Sequence, residues 1–341
     1  MRSPLPMQAD DAVDAASFDA EALVPGFIEL RLPLDPPDAA MLARADRTMR
    51  VWQSDVSGPI TIGSDIHKRE MCRMFRDTFN PYRPSVLAWP NLDAATRDKI
   101  VSLPIWDIAV QTEGKARLRM AAFACMQSDL DLRHAFALNA WEESRHKDVL
   151  TRLVETYGVA LEPESPYVYP GRATWAYLVT GYSECIDSFF AFGLFDVARR
   201  SGLFPAELIE TFEPVIQEEC RHILLFANWI AWYRAKLSWL ARLRFELEVA
   251  GVWIFLVWER IGIARAIDGN GPSRAHRQDN NFTVSGAQSV SNGGIALHEL
   301  MTICIAENDR RFAGYDARLA RPVTMPKIVR FALRFMRPRA R

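Results

Sequence analysis

What this sequence lacks narrows it first. It has only five cysteines, Cys72, Cys125, Cys185, Cys220 and Cys304, with no C-x-x-C pair among them. An odd count without framework spacing argues against a disulfide scaffold and for a reducing compartment. No apolar run reaches the ~18 residues a membrane span needs. The nearest, Val249 to Trp258, has Glu246 and Glu248 before it and Glu259-Arg260 after it. Excess charge is missing too: the net charge of -1 gives no pull toward nucleic acid. No Gly-rich dinucleotide fingerprint is evident, so a reductant, where one is needed, is a separate protein. The N-terminal stretch, with Asp10, Asp11 and Asp14, does not show the basic-then-apolar pattern of a signal peptide, and the cytoplasm is the expected location.

What is present is apolar and aromatic residues at helical spacing. Hydrophobic residues make up 49%, with 10 Trp and 19 Phe, which suits a thick helical core or an apolar channel. Residues 1–40, rich in Pro, Asp and Ala, read as an irregular arm, and 41–103 as an N-terminal extension packing on a helical bundle. Within that extension 49–62 looks weakly strand-like or merely extended, and 64–80 is a short helix stopped by Asn80-Pro81. Another short helix ends near Ser102. Four long helices are expected at about 104–127, 132–157, 172–200 and from 205 to Trp239 or beyond, with a kink at Pro214 in the last. Together, 104–240 predicts an all-α fold, an antiparallel four-helix bundle with extra helices at both ends. Residues 241–320 add further helices around a polar, lid-like loop at 268–294, and 321–341 form a basic amphipathic C-terminal helix.

Two strings in these helices repeat each other: Glu142-Glu143-Ser144-Arg145-His146 and Glu218-Glu219-Cys220-Arg221-His222. On a helix, i and i+3 share a face, so Glu143 with His146, and Glu219 with His222, can each hold a metal ion. A bundle that binds two metals also needs a lone Glu on each of the other two helices. Glu113 is the only glutamate of the first long helix, and Glu184 occupies the inward stripe of the third. Burying such groups amid apolar stripes costs several kcal/mol unless they are paired or bind a cation. The metal set is therefore Glu113, Glu143, His146, Glu184, Glu219 and His222, and its donors suit two iron ions, or manganese with iron. Asp187 shares a face with Glu184, either replacing it as ligand or partnering a histidine. Glu142, Arg145, Glu218 and Arg221 are either supports behind the ligands or ordinary Glu–Arg pairs on a solvated face. For Tyr177, Tyr182 and Trp141, core packing is favoured over electron relay.

These residues resemble the ferritin-like di-iron carboxylate superfamily over roughly 104–240, and Glu142–Leu150 (EESRHKDVL) looks most like the soluble acyl-carrier-protein desaturases. The resemblance implies a carboxylate-bridged di-iron site and reductive activation of dioxygen. An enzyme of this kind oxidises, hydroxylates or desaturates an apolar or carrier-bound acyl substrate, with electrons from a ferredoxin or flavoprotein. Two other classes compete: an iron-oxidising storage protein, and a metal-free helical scaffold at a membrane surface. In the tail, Lys327, Arg330, Arg334 and Arg337 fall on one helical face. Such a face can meet an anionic membrane or an acidic carrier protein, or can simply be the wet side of a packed helix. A homodimer is left open.

Overall fold

The computed structural model describes residues 38–80, 82, 84, 87–102, 106–161, 163, 167–202, 204–268 and 296–336. Nearly all of the expected arm at 1–40, and the expected loop at 268–294 apart from Asp268, lie outside the described residues. Among the described residues there are ten helices and no strand. They are α1 (Ala39–Arg50), α2 (Asp65–Asp77), α3 (Ala94–Val101), α4 (Trp106–Met126), α5 (Leu130–Tyr157), α6 (Ala173–Ser201), α7 (Ala206–Lys236), α8 (Trp239–Asp268), α9 (Leu297–Phe312) and α10 (Thr324–Leu333).

Local chemistry sets several of these boundaries. Asp38, Ser64, Asp93 and Asp129 each accept a backbone N–H from the first turn of the helix they precede. Gly158 ends α5 with φ 68, the left-handed conformation that costs glycine least. Two expectations are corrected. The stretch 49–62 is merely extended only beyond its first two residues: Met49 and Arg50 finish α1, and after them the chain forms no strand and makes one isolated bridge, Trp52 to Tyr315. The fourth long helix does not run to Trp239. It continues through Pro214 to Lys236, breaks at extended Leu237, and α8 begins at Trp239.

The four long helices α4 to α7 form a closed ring of contacts: α4 on α5, α5 on α7, α7 on α6, and α6 on α4. One layer of rings fixes their directions. Phe123 of α4 stacks on Tyr177 of α6 with centroids 3.9 Å apart, and both meet Phe136 of α5 and Trp229 of α7 edge-on. Phe123 and Trp229 follow the Glu/His positions of their helices, whereas Phe136 and Tyr177 precede theirs. For both layers to align, α4 and α7 must run one way and α5 and α6 the other. Around this core, α1 and α2 lie on α7, α2 also reaches α5, and α8, α9 and α10 lie on α6.

Candidate metal centre

The six expected ligands come from all four helices of the ring: Glu113 from α4, Glu143 and His146 from α5, Glu184 from α6, Glu219 and His222 from α7. One ligand atom from each of Glu143, His146, Glu219 and His222 lies within 4.8 Å of the other three. The two imidazoles are 5.4 Å apart, centroid to centroid. Glu143 spans them, with one oxygen 2.9 Å from Nδ1 of His222 and the other 3.8 Å from Nδ1 of His146. Glu219 Oε1 does the same at 3.2 Å from His146 and 3.9 Å from His222. Glu113 joins at 3.8 Å from Nδ1 of His146. Glu184 sits in the field of Glu143 and Glu219, and both its carboxylate oxygens are buried with no hydrogen-bond partner.

The residues behind the ligands are crossed between the two repeats. His146 donates its Nε2–H to Glu218 of α7 at 2.7 Å, and His222 donates its Nε2–H to Glu142 of α5 at 2.9 Å. An ionised carboxylate only accepts, so each imidazole carries its proton on Nε2 and presents Nδ1 inward. Both Nδ1 atoms are buried and face carboxylate oxygens of the cluster, Glu219 for His146 and Glu143 for His222. Arg145 donates to Glu218 at 2.6 Å and Arg221 to Glu142 at 2.5 Å. All four of these residues are buried, which rules out the solvated-face reading. Arg221 also donates to the Thr78 hydroxyl and the Phe75 carbonyl, and Arg145 to the carbonyls of Asn80 and Tyr82. The C-terminal end of α2 thereby gains the cations its last carbonyls favour, and the arginines are held in place.

The charge balance of the cluster calls for a cation. Burial, then the carboxylates of Glu143 and Glu219, push Glu184 well above the ordinary carboxylate range. Burial raises Glu113 too. Burial works against charge on both imidazoles, yet their carboxylate neighbours hold His146 and His222 well above the usual histidine range. Burial would also raise Glu143 and Glu142, but His222 in the first case and Arg221 in the second hold them below it. Without a metal the cluster thus compensates its negative charge by keeping protons. A bound metal ion could take their place, with the inward Nδ1 atoms and the carboxylate oxygens of Glu143 and Glu219 as ligands. The buried group of Glu143, His146, Glu219 and His222 could hold a metal ion.

Sequence reasoning missed some supporting groups. Asn139 donates to Glu143 at 3.3 Å, and the Ser188 hydroxyl to Glu219 at 3.2 Å. Asn139 stands one turn before Glu143, so helical spacing carried that signal. Nothing in the pattern pointed to the carbonyls of Phe75, Asn80 and Tyr82. Asp187, expected as an alternative ligand or a histidine partner, instead accepts from Arg260 of α8 at 2.7 Å and from Ser183 at 2.8 Å. Arg260 draws that carboxylate to the α8 side of α6. Tyr177 belongs to the ring layer, Trp141 lies under the Arg145 guanidinium, and Tyr182 packs edge-on against Phe226. No family model, no curated protein and no solved structure matches this chain.

Proposed function

We propose that this chain is a di-iron oxidoreductase built on a ferritin-like four-helix bundle, with α4 to α7 as its four rods. It uses dioxygen to oxidise, hydroxylate or desaturate an apolar or carrier-bound organic substrate. The observation that carries this reading is the crossed pairing of each histidine with the other repeat's glutamate. It leaves the two imidazoles and the carboxylates of Glu143 and Glu219 around one buried spot, with Glu113 3.8 Å from His146. Glu143, Glu219, His146 and His222, with Glu113 and Glu184 beside them, would hold the ions. When bound, the pair of metals supplies the redox chemistry and the binding of dioxygen.

The protein's own share is positional. Glu142 and Glu218 keep the imidazoles in one tautomer, and Arg145 and Arg221 hold those glutamates in place. The layer of Phe123, Phe136, Tyr177 and Trp229 closes the site from one end against water. Glu113 and Glu219 keep 19% and 15% side-chain exposure while both histidines have none, so small reactants enter from their side. Electrons come from an external ferredoxin or flavoprotein in this reading.

The test is metal analysis of anaerobically Fe(II)-loaded protein, followed by mixing with oxygen. The expected result is close to two irons per chain, rapid oxidation of both, and loss of bound iron in Glu143→Ala and Glu219→Ala. Uptake of many irons per chain would indicate storage instead. Unchanged metal content in both variants would sink the assignment of this site.

A further inference from the structure

Helix α8 is apolar on two opposite faces. Phe245, Val249, Val252 and Leu256 are buried, and α8 packs on α6. On the far side, Leu240, Leu243, Leu247, Ile254, Val257 and Ile261 are all exposed, Ile254 at 72%. Ala250, also exposed, fills the one position between them. These seven follow each other at alternating steps of three and four residues, the seven-residue repeat of a helix that supercoils against a partner. Trp239 and Trp258 flank the seam and are exposed as well, at 75% and 76%.

Helices that are apolar all round are normally covered. Side chains of this size leave on the order of 1,000 Å² of apolar surface open per chain, against about 800 Å² that each partner gives to a stable interface. A monomer rarely carries a patch of more than a few hundred Å². Charge decides between occupants. Arg244 and Glu246 flank the seam on its two sides, one of each sign. A helix that settles on an anionic bilayer is rimmed by basic residues alone. A rim of mixed sign is compatible with a copy of itself. No described helix is long and apolar enough to cross a membrane.

We propose that the outer face of α8 is a homodimer interface, seated on α8 of a second copy through this seven-residue repeat. The surface is independent of the metal centre, and the mass can be read with or without iron. Sedimentation velocity of the full chain at micromolar concentration should give twice 38.7 kDa. Leu247→Glu with Ile254→Glu should halve that mass, with helical circular dichroism and iron content unchanged, because both side chains face solvent in the single chain. A dimer that survives the double substitution overturns the proposal. So does a wild-type monomer. If that monomer binds vesicles of equal phosphatidylcholine and phosphatidylglycerol, the face belongs to a lipid surface.

Discussion

Glu218 lies next in sequence to an expected ligand, yet its carboxylate points to a histidine of another helix. It takes Nε2–H of His146 on one oxygen and the Arg145 guanidinium on the other. Replacing it with Gln keeps the shape and removes the charge that fixes the imidazole. We expect Glu218→Gln to weaken iron binding by about 10–100-fold, the usual cost of losing a carboxylate behind a metal-bound histidine. Competition against a chelator measures this, with Glu210→Gln as the control, since Glu210 is 67% exposed on the same helix. Equal affinities in the two variants would mean that Glu218 only neutralises Arg145. The same logic, mirrored, applies to Glu142 and His222.

Between elements, α6 and α9 approach closely at Gly193. A Cβ added to Gly193 would sit 2.3 Å from Sγ of Cys304 and 2.9 Å from its Cα. Helix propensity alone would reward alanine there by about 1 kcal/mol. Overpacking of this kind costs about 1–3 kcal/mol, and the backbone atom cannot swing away. Gly193→Ala should therefore lower the urea midpoint, and adding Cys304→Ala should not restore it, because the clash with Cα remains. Full restoration would show that only the sulfur was in the way. Contacts of this sort are invisible in a sequence, whereas spacing within one helix is not. Glu143, His146, Glu219 and His222 were legible because i and i+3 share a face whatever surrounds them. Glu113 and Glu184 stand alone on apolar stripes, and the fold brings Glu113 to 3.8 Å from His146 and Glu184 into the field of Glu143 and Glu219. The partner of Glu142 was not legible: its position shows that it points away from Glu143, but not which helix lies there. Asp187 failed likewise, since Arg260 comes from α8, beyond any local pattern. The outer seam of α8 went unread because an apolar run with two faces looks, in one dimension, like a helix with none.

Across the whole molecule, one buried node ties distant stretches of chain together. Asn228 of α7 accepts from His67 of α2 at 2.8 Å and from the Ala320 N–H at 2.7 Å, and donates to the carbonyls of Leu224 and Ala320. The other nitrogen of His67, Nδ1, accepts the Gly63 N–H at 3.2 Å. Both ring nitrogens are thus satisfied only while His67 is neutral, with its proton on Nε2. Burial holds its pKa below the ordinary value of 6.5, although the bond to Asn228 works the other way. The unfolded chain therefore binds more protons than the folded one once the pH drops below about 6.5, and stability falls with it. Above that pH the contribution of His67 is fully present. Other groups titrate in the same window, so the informative quantity is a difference. His67→Gln keeps one acceptor and one donor but cannot titrate. The stability advantage of the wild type over this variant should be constant above about pH 7 and shrink as the pH is lowered toward about 5. Denaturant midpoints of the iron-loaded proteins across that range measure it. A gap that stays constant, or widens in acid, would mean that His67 takes up its proton without disturbing the node, and that α2, α7 and the Ala320 segment are held together by packing alone.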